Sequence, residues 1–301
     1  MNWLSAVEHL RRQRMEGVLV TVVSVRGHAP RDAGAKMVIS ADNTWDSIGG
    51  GNLEQEAIEA ARSMIAGGES TPLSISSRLT EHAPARHGVQ CCGGEVTLLL
   101  EPLAVVEAVA IFGMGHVGTE LARLLARHDL ELHLVDSRSG YVDPVRLQPV
   151  TTDTPATVHL HHAPVPELVM RELPPGAHVL VMTHDHAEDA ALVDVALRTT
   201  GLGSIGLIGS SAKWTRLSKR LAGQGHSPAD LSRVQTPIGL PELTGKDPAT
   251  IAVSVAASLL ITFERDRAAR QAPGRTAGRR PAPSTAPEPR TATHDTEGVQ
   301  R

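Results

Sequence analysis

Aromatic residues make up only 2% of this 301-residue chain, with three tryptophans, two phenylalanines and one tyrosine, Tyr141. So few rings leave no stacking platform for nucleic-acid bases. The core must then be built from Leu, Val, Ile and Ala. A formal net charge of −4 gives a polyanion no general electrostatic surface, so no nucleic-acid partner is expected. Cysteine is almost missing: the two that occur are neighbours, Cys91 and Cys92. Adjacent Cα atoms sit about 3.8 Å apart, below the usual disulfide range, so reduced thiols in a reducing compartment are expected. Long apolar runs are also missing. The longest, from Ile251 to Thr262, is short of the ~20 residues that cross a bilayer. The amino end, MNWLSAVEHLRRQRMEG, reads as an amphipathic helix with Trp3, Leu4, Val7 and Leu10 on one side, not as a signal peptide. These absences together predict a soluble, cytoplasmic protein with no membrane partner.

What is present centres on residues 105–118, VVEAVAIFGMGHVG. The apolar run Val109 to Phe112 feeds into Gly113-Met114-Gly115-His116-Val117-Gly118, and Val117, Leu121, Leu124 and Leu125 continue as one helical face. Strand, glycine turn and helix form the first unit of a dinucleotide-binding fold. Gly113 allows the tight turn, Gly115 lets backbone approach a phosphate, and Gly118 lets helix pack on strand. A second apolar run ends at Asp136, about 20 residues on, where an acid can hold a ribose hydroxyl pair.

Along the chain, an α+β domain is expected over residues 1–104, with strands at Gly17–Val25, Lys36–Ser40, Leu73–Ser77 and Val96–Leu100. A helix from Leu53 to Ala66 and a loop from Thr80 to Gly88 complete it. Residues 105–267 continue as β/α alternation: strands near Leu132–Val135, Val158–His161, Ala177–Met182 and Ser204–Ile208, with a last apolar helix from Pro248 to Phe263. The fold class is α/β, a Rossmann-like doubly wound parallel sheet preceded by the smaller α+β domain. Residues 268–301 are rich in Pro, Ala, Thr, Gly and Arg without periodicity, and are expected to be a disordered tail.

Several constellations can carry chemistry. Gln90-Cys91-Cys92-Gly93-Gly94 sets two thiols before a strand, with glycines that let a bulky ligand reach backbone. In an extended segment the two side chains face opposite ways, so one thiol is expected to meet the ligand, where it would suit a thiophilic metal. The alternative is a pair of small buried hydrophobes. Gly49, Gly50 and Gly51, before a helix, can form an anion nest or a plain turn. His184-Asp185-His186, with Asp189 beyond, follows a parallel strand at the end where open α/β sheets place ligands. Ligand contact, a metal site joined by His159, His161 and His162, and a helix-capping turn are its three readings. Lys213, after Gly209-Ser210-Ser211, meets a phosphate or is a solvated helix charge.

These residues resemble the xanthine dehydrogenase accessory proteins, the XdhC/CoxI family. The matching pieces are Gly34-Ala35-Lys36-Met37, Ile48-Gly49-Gly50-Gly51-Asn52-Leu53-Glu54 and Gln90-Cys91-Cys92-Gly93-Gly94, then Phe112 to Gly118, Thr183-His184-Asp185-His186, Ile205 to Ser210 with Lys213, and Pro237-Ile238-Gly239-Leu240. Arg86-His87-Gly88-Val89 departs from the more neutral loop the family leads one to expect. The resemblance implies a chaperone that binds the molybdenum cofactor (molybdopterin) and protects it while a cysteine desulfurase replaces an oxo by a sulfido ligand. It then passes the cofactor to a xanthine-dehydrogenase-type molybdoenzyme subunit. It also implies that Cys91 or Cys92 contacts the molybdenum. Cofactor contacts are expected from Cys91, Cys92, Gly93, Gly94, Gly49, Gly50, Gly51, Gly113, Gly115, His116, Gly118, Asp136, His184, Asp185, His186 and Lys213, with NAD(P) or another nucleotide as a further ligand of the glycine turn. A homodimer is allowed. The rival is an NAD(P)-dependent oxidoreductase using Gly113–Gly118 and Asp136, against which stands the lack of a Tyr/Lys proton-relay pair. A metal hydrolase built on His184-Asp185-His186 is a third.

Overall fold

The computed structural model describes residues 1–79 and 94–271, and the expectations for the Thr80–Gly88 loop, Arg86 to Val89, Cys91, Cys92, Gly93 and residues 272–301 lie outside the described residues. The first half is an antiparallel sheet of β1 (Gly17–Arg26), β2 (Lys36–Ile39), β3 (Thr44–Asp46), β4 (Leu73–Arg78) and β5 (Glu95–Leu103), ordered β3-β2-β1-β5-β4. Strict alternation in β1 sends Val18, Val20 and Val22 inward, where they meet Leu98 and Leu100 of β5 in one core. The pairing slips between Val22 and Ser24, a bulge that leaves Val23 about half exposed. Helix α2 (Gly51–Gly67) covers this face with Leu53, Ala57, Ala61 and Met64.

Helix α1 (Trp3–Gln13) lies in a separate cluster with Val38, through Ala6 and Leu10. The Asn2 side chain caps it by accepting from the Ser5 amide at 2.9 Å. The expected apolar side needs correction at Leu4, which is 52% exposed. The buried stripe runs through Trp3, Ala6, Val7 and Leu10, and Leu4 sits about 100° around the helix from Trp3.

The second half is a parallel sheet of β6 (Ala108–Phe112), β7 (Glu131–Asp136), β8 (Thr157–His162), β9 (His178–Val181), β10 (Ser204–Leu207) and β11 (Val234–Gln235). Their order, β8-β7-β6-β9-β10-β11, is the doubly wound Rossmann order with its reversal between β6 and β9. All five residues of β6 are buried, and they alternate between two cores. Val109 and Ile111 pack with Leu121 and Leu125 of α3 (His116–Leu125), whereas Ala110 and Phe112 pack with Leu192, Val193 and Ala196 of α6 (His186–Arg198). Each such Leu is worth about 1.5–3 kcal/mol of burial. The remaining helices are α4 (Gln148–Thr151), α5 (Glu167–Glu172), α7 (Ser211–Gly223), α8 (Pro228–Leu231) and α9 (Pro248–Gln271). The short elements α4, α8, β3 and β11 were not expected, because runs of two to four residues carry no readable period.

Helix α9 runs to Gln271, past Phe263 and past the expected start of the tail at Ala268. Good helix formers from Glu264 onward extend it beyond its apolar stretch. By length and composition it is the one described helix that could cross a membrane. Here Ala252, Val255, Ala256, Leu259 and Phe263 form one stripe, buried in the core that also holds α3. The Ser254 hydroxyl accepts from the Leu240 amide at 2.7 Å, which pins the Pro237–Leu240 segment to α9.

Candidate functional site

The reversal between β6 and β9 opens a crevice at the carboxyl ends of the strands, lined by the loops after β6, β7, β9 and β10. Gly113 has φ +108, and a Cβ there would lie 2.4 Å from the Met182 carbonyl, so only glycine fits. A Cβ on Gly118 would lie 2.2 Å from the Gly113 carbonyl, which is the close helix–strand approach expected of it. Gly115 has open space where its Cβ would be, and no side chain caps α3. The amino end of α3 thus presents backbone N–H groups and positive dipole to that space. His116, the first residue of α3, is exposed beside it.

Asp136 ends β7 where expected, and its carboxylate is occupied. Oδ2 accepts from the Met114 amide at 2.8 Å, and Arg138 donates to both oxygens at 2.9 Å. Burial alone would raise this carboxyl, but the hydrogen bonds from Arg138 and Met114 outweigh it and hold the pKa below the ordinary value. A ribose would have to displace Arg138 to reach it. The Arg138 guanidinium lies 3.5 Å from the Tyr141 ring centroid and that of Arg146 4.4 Å from it. Arg146 also donates to the Met114 carbonyl at 3.1 Å. Two cations thus flank the glycine turn, a feature that no single motif in the sequence announces. Glu188 accepts from the Ser137 hydroxyl at 2.9 Å, and burial, with Asp136 adding to it, pushes its carboxyl above the usual range.

Past β9, Asp185 is the N-cap of α6, accepting from the amides of Ala187 and Glu188 at 2.6 and 3.0 Å. His184 and His186 on either side are exposed at the crevice rim. Lys213 is not a solvated helix charge. Its Nζ donates to Asp189 Oδ2 at 2.5 Å and to the Ile208 carbonyl at 2.9 Å. Asp189 is fully buried and also accepts from the Thr183 hydroxyl at 2.8 Å. The pair ties the loop after β9 to the loop after β10.

His159, His161 and His162 do not join His184. β8 stands three strand spacings from β9, about 14 Å. His159 and His161 gather instead with Glu131 and His133 of β7. The signal that could have found this is Glu131-x-His133 and His159-x-His161, an alternation that places each pair on one face of its strand.

In the first half, Gly49, Gly50 and Gly51 all have positive φ, at +125, +75 and +66. They form the expected cradle, and its occupant is the chain's own Glu54. Oε2 of Glu54 accepts from the Gly50 amide at 3.0 Å, the Ile48 amide at 3.3 Å and the Ser47 hydroxyl at 2.5 Å. An external anion at those amides would have to displace it. Gly94 opens into β5, where a Cβ would lie 2.2 Å from the His28 carbonyl and 2.8 Å from that of Arg26. Its carbonyl accepts from the Leu79 amide at 2.7 Å. The halves are joined by ion pairs from the end of α1, Arg11 to Asp129 and Arg14 to Glu131.

A Bacillus halodurans crystal structure described as a xanthine dehydrogenase aligns at 18% identity over 88% of this chain and 96% of its own, with TM-score 0.45. The E. coli tRNA N6-threonylcarbamoyladenosine dehydratase TcdA aligns at 15% identity over 55% of this chain and 88% of its own, with TM-score 0.40. A Cryptosporidium parvum malate dehydrogenase aligns at 13% identity over 39% and 43%, with TM-score 0.29. No curated protein matches the chain. The family models are decisive: the XdhC and CoxI family model matches residues 10–76, and the XdhC Rossmann domain model matches residues 109–259. Each half is matched by one of these models, and the chain belongs to the XdhC family.

Proposed function

We propose that this protein is a maturation factor: it binds the molybdenum cofactor, supports its sulfuration by a cysteine desulfurase, and inserts it into a xanthine-dehydrogenase-type apoenzyme. The observation that carries the reading is the match of both halves to the XdhC family, with Cys91 and Cys92 between them. Bound, the cofactor supplies a thiophilic molybdenum centre and an anionic phosphate. The chain's groups fit such a ligand. Gly115 leaves room at an uncapped helix terminus, with Arg138 and Arg146 close by for an anion. The thiols of Cys91 and Cys92 provide a soft donor. His116, His184 and His186 are exposed around the crevice to orient a polar ring system. The oxidoreductase reading is weakened by Asp136, whose oxygens are taken by Arg138 and Met114.

The test is bound molybdenum and pterin per folded chain in Cys91→Ala, Cys92→Ala and the double variant, with unfolding curves for each. One single variant is expected to lose cofactor and the other mainly stability. Full loading in the double variant would end the thiolate role, and loading by nicotinamide nucleotides instead of pterin would favour the oxidoreductase.

A further inference from the structure

Glu131 opens β7, and His133 follows two residues later on the same face. The register sets His133 opposite His159 and Val135 opposite His161, so β8 adds two imidazoles to that face. Nε2 of His133 and Nε2 of His159 each lie 3.3 Å from the same atom, Oε1 of Glu131. All three ligand atoms fall within 4.8 Å of one another. A tetrahedral zinc centre with bonds of about 2.0–2.1 Å places its ligand atoms about 3.3 Å apart, and the two Nε2–Oε1 spacings match that separation.

Three further observations support this geometry. His133 is 9% exposed, and its Nε2 is buried without a well-aligned hydrogen bond, its neighbour being the Glu131 carboxylate. A buried ring nitrogen whose hydrogen bonding is poorly aligned is better satisfied by a ligand that takes its lone pair. His133 Nδ1 lies 3.1 Å from Nε2 of His161, and a proton on Nδ1 donated there leaves the Nε2 lone pair facing the site. Metal-ligating histidines are oriented by an outer partner of this kind. Arg14 Nη1 meets the other carboxylate oxygen, Oε2, at 2.5 Å, which fixes Glu131 and leaves Oε1 turned to the imidazoles. Its charge lowers affinity for a dication without closing the site. The His159 side chain is 43% exposed, so water can reach a fourth position.

We propose that Glu131, His133 and His159 form a binding site for a divalent transition-metal ion of the zinc class. His161 is the positioning residue and water the fourth ligand. The site is distinct from the cofactor crevice: five residues of extended chain, about 16 Å, separate Glu131 from Asp136. The proposal does not depend on the cofactor reading.

The experiment uses the full chain, stripped with chelator and titrated with zinc chloride by calorimetry, then with cobalt chloride in the visible range. Wild type is expected to bind a single ion at this site and to melt at a higher temperature with it. The cobalt spectrum should be tetrahedral and should lack the thiolate charge-transfer band that Cys91 or Cys92 would contribute. His159→Ala, at a half-exposed position where the fold should survive, is expected to lose more than about a hundredfold in affinity. His161→Ala should lose about ten- to a hundredfold while keeping a tetrahedral cobalt spectrum, as a positioning residue would. His162→Ala, exposed on the other face of β8, should bind as wild type. Absence of zinc binding in wild type, or zinc affinity unchanged in His159→Ala, would overturn the proposal and leave a hydrogen-bonded His–Glu–His cluster.

Discussion

Replacing Lys213 by methionine separates a structural from a ligand role for this residue. Its Nζ pairs with Asp189, whose side chain is 1% exposed, and the lysine itself is 18% exposed. Removing one partner of a buried pair typically costs about 3–5 kcal/mol, because the other charge is stranded. Two features reduce that here. Solvent reaches the lysine, and Asp189 keeps its hydrogen bonds from the Thr183 hydroxyl and amide. Lys213→Met is therefore expected to cost about 2–3 kcal/mol, somewhat below the range for a broken, fully buried pair. In a fold of this size that corresponds to about 4–12 °C in melting temperature. The assay is urea denaturation of the single variants Lys213→Met and Asp189→Asn and of the double variant, with m unchanged throughout. A coupling above about 1 kcal/mol would show that the two act as a pair. Bound molybdenum per folded chain is measured beside it. If Lys213→Met lies within about 0.5 kcal/mol of wild type, the buried-pair argument fails. If cofactor loading also falls at that unchanged stability, the lysine is a ligand group.

The glycine turn makes an opposed pair of predictions. Gly118→Ala drives a Cβ into the Gly113 carbonyl and should destabilise by about 1–3 kcal/mol or more, whereas Gly115→Ala, at φ −70 with open space, should cost no more than the loss of about 1 kcal/mol that alanine brings to an N-cap and lose affinity for an anionic ligand. Equal stability of the two in thermal melts would refute the packing assignment. Asp136 has a folded-state pKa below its unfolded value, so its contribution is full above about pH 4 and is lost as pH falls through the folded pKa. Asp136→Asn should therefore be less stable than wild type at neutral pH, with the gap closing in acid. A gap that stays constant down to the acid transition would show that Asp136 does not titrate against Arg138.

Much of the second sheet was legible because β6 and α3 carry their own periods. Val109 to Phe112 is uniformly apolar, the glycines occupy positions that demand them, and the helix that follows buries one stripe. The end of α9 was misplaced because the apolar pattern stops at Phe263, while helix propensity carries the backbone to Gln271. Leu4 leaves the buried stripe because it lies about 100° around the helix from Trp3, although its residue type matches the stripe.

The candidate site divides in the same way. Residue types and spacing placed Gly113, Gly115 and Gly118 in a strand–turn–helix unit, Asp136 at the end of the second strand, and three consecutive glycines at the start of a helix. These are local requirements of backbone conformation, and a linear sequence states them directly. Which charge fills each place is decided by the folded backbone: the partners at the glycine segment, Asp136 and the start of α6 come from within four residues, and that of Asp189 from 24 residues away. Glu54 occupies the Gly49–Gly51 cradle, Arg138 holds Asp136, Asp185 caps α6, and Asp189 binds Lys213. Glu131 and His133 meet His159 and His161 only because β7 and β8 pair in that register. A charged or imidazole side chain takes whatever partner the packed backbones bring within about 3 Å, and periodicity along the chain carries no record of that meeting.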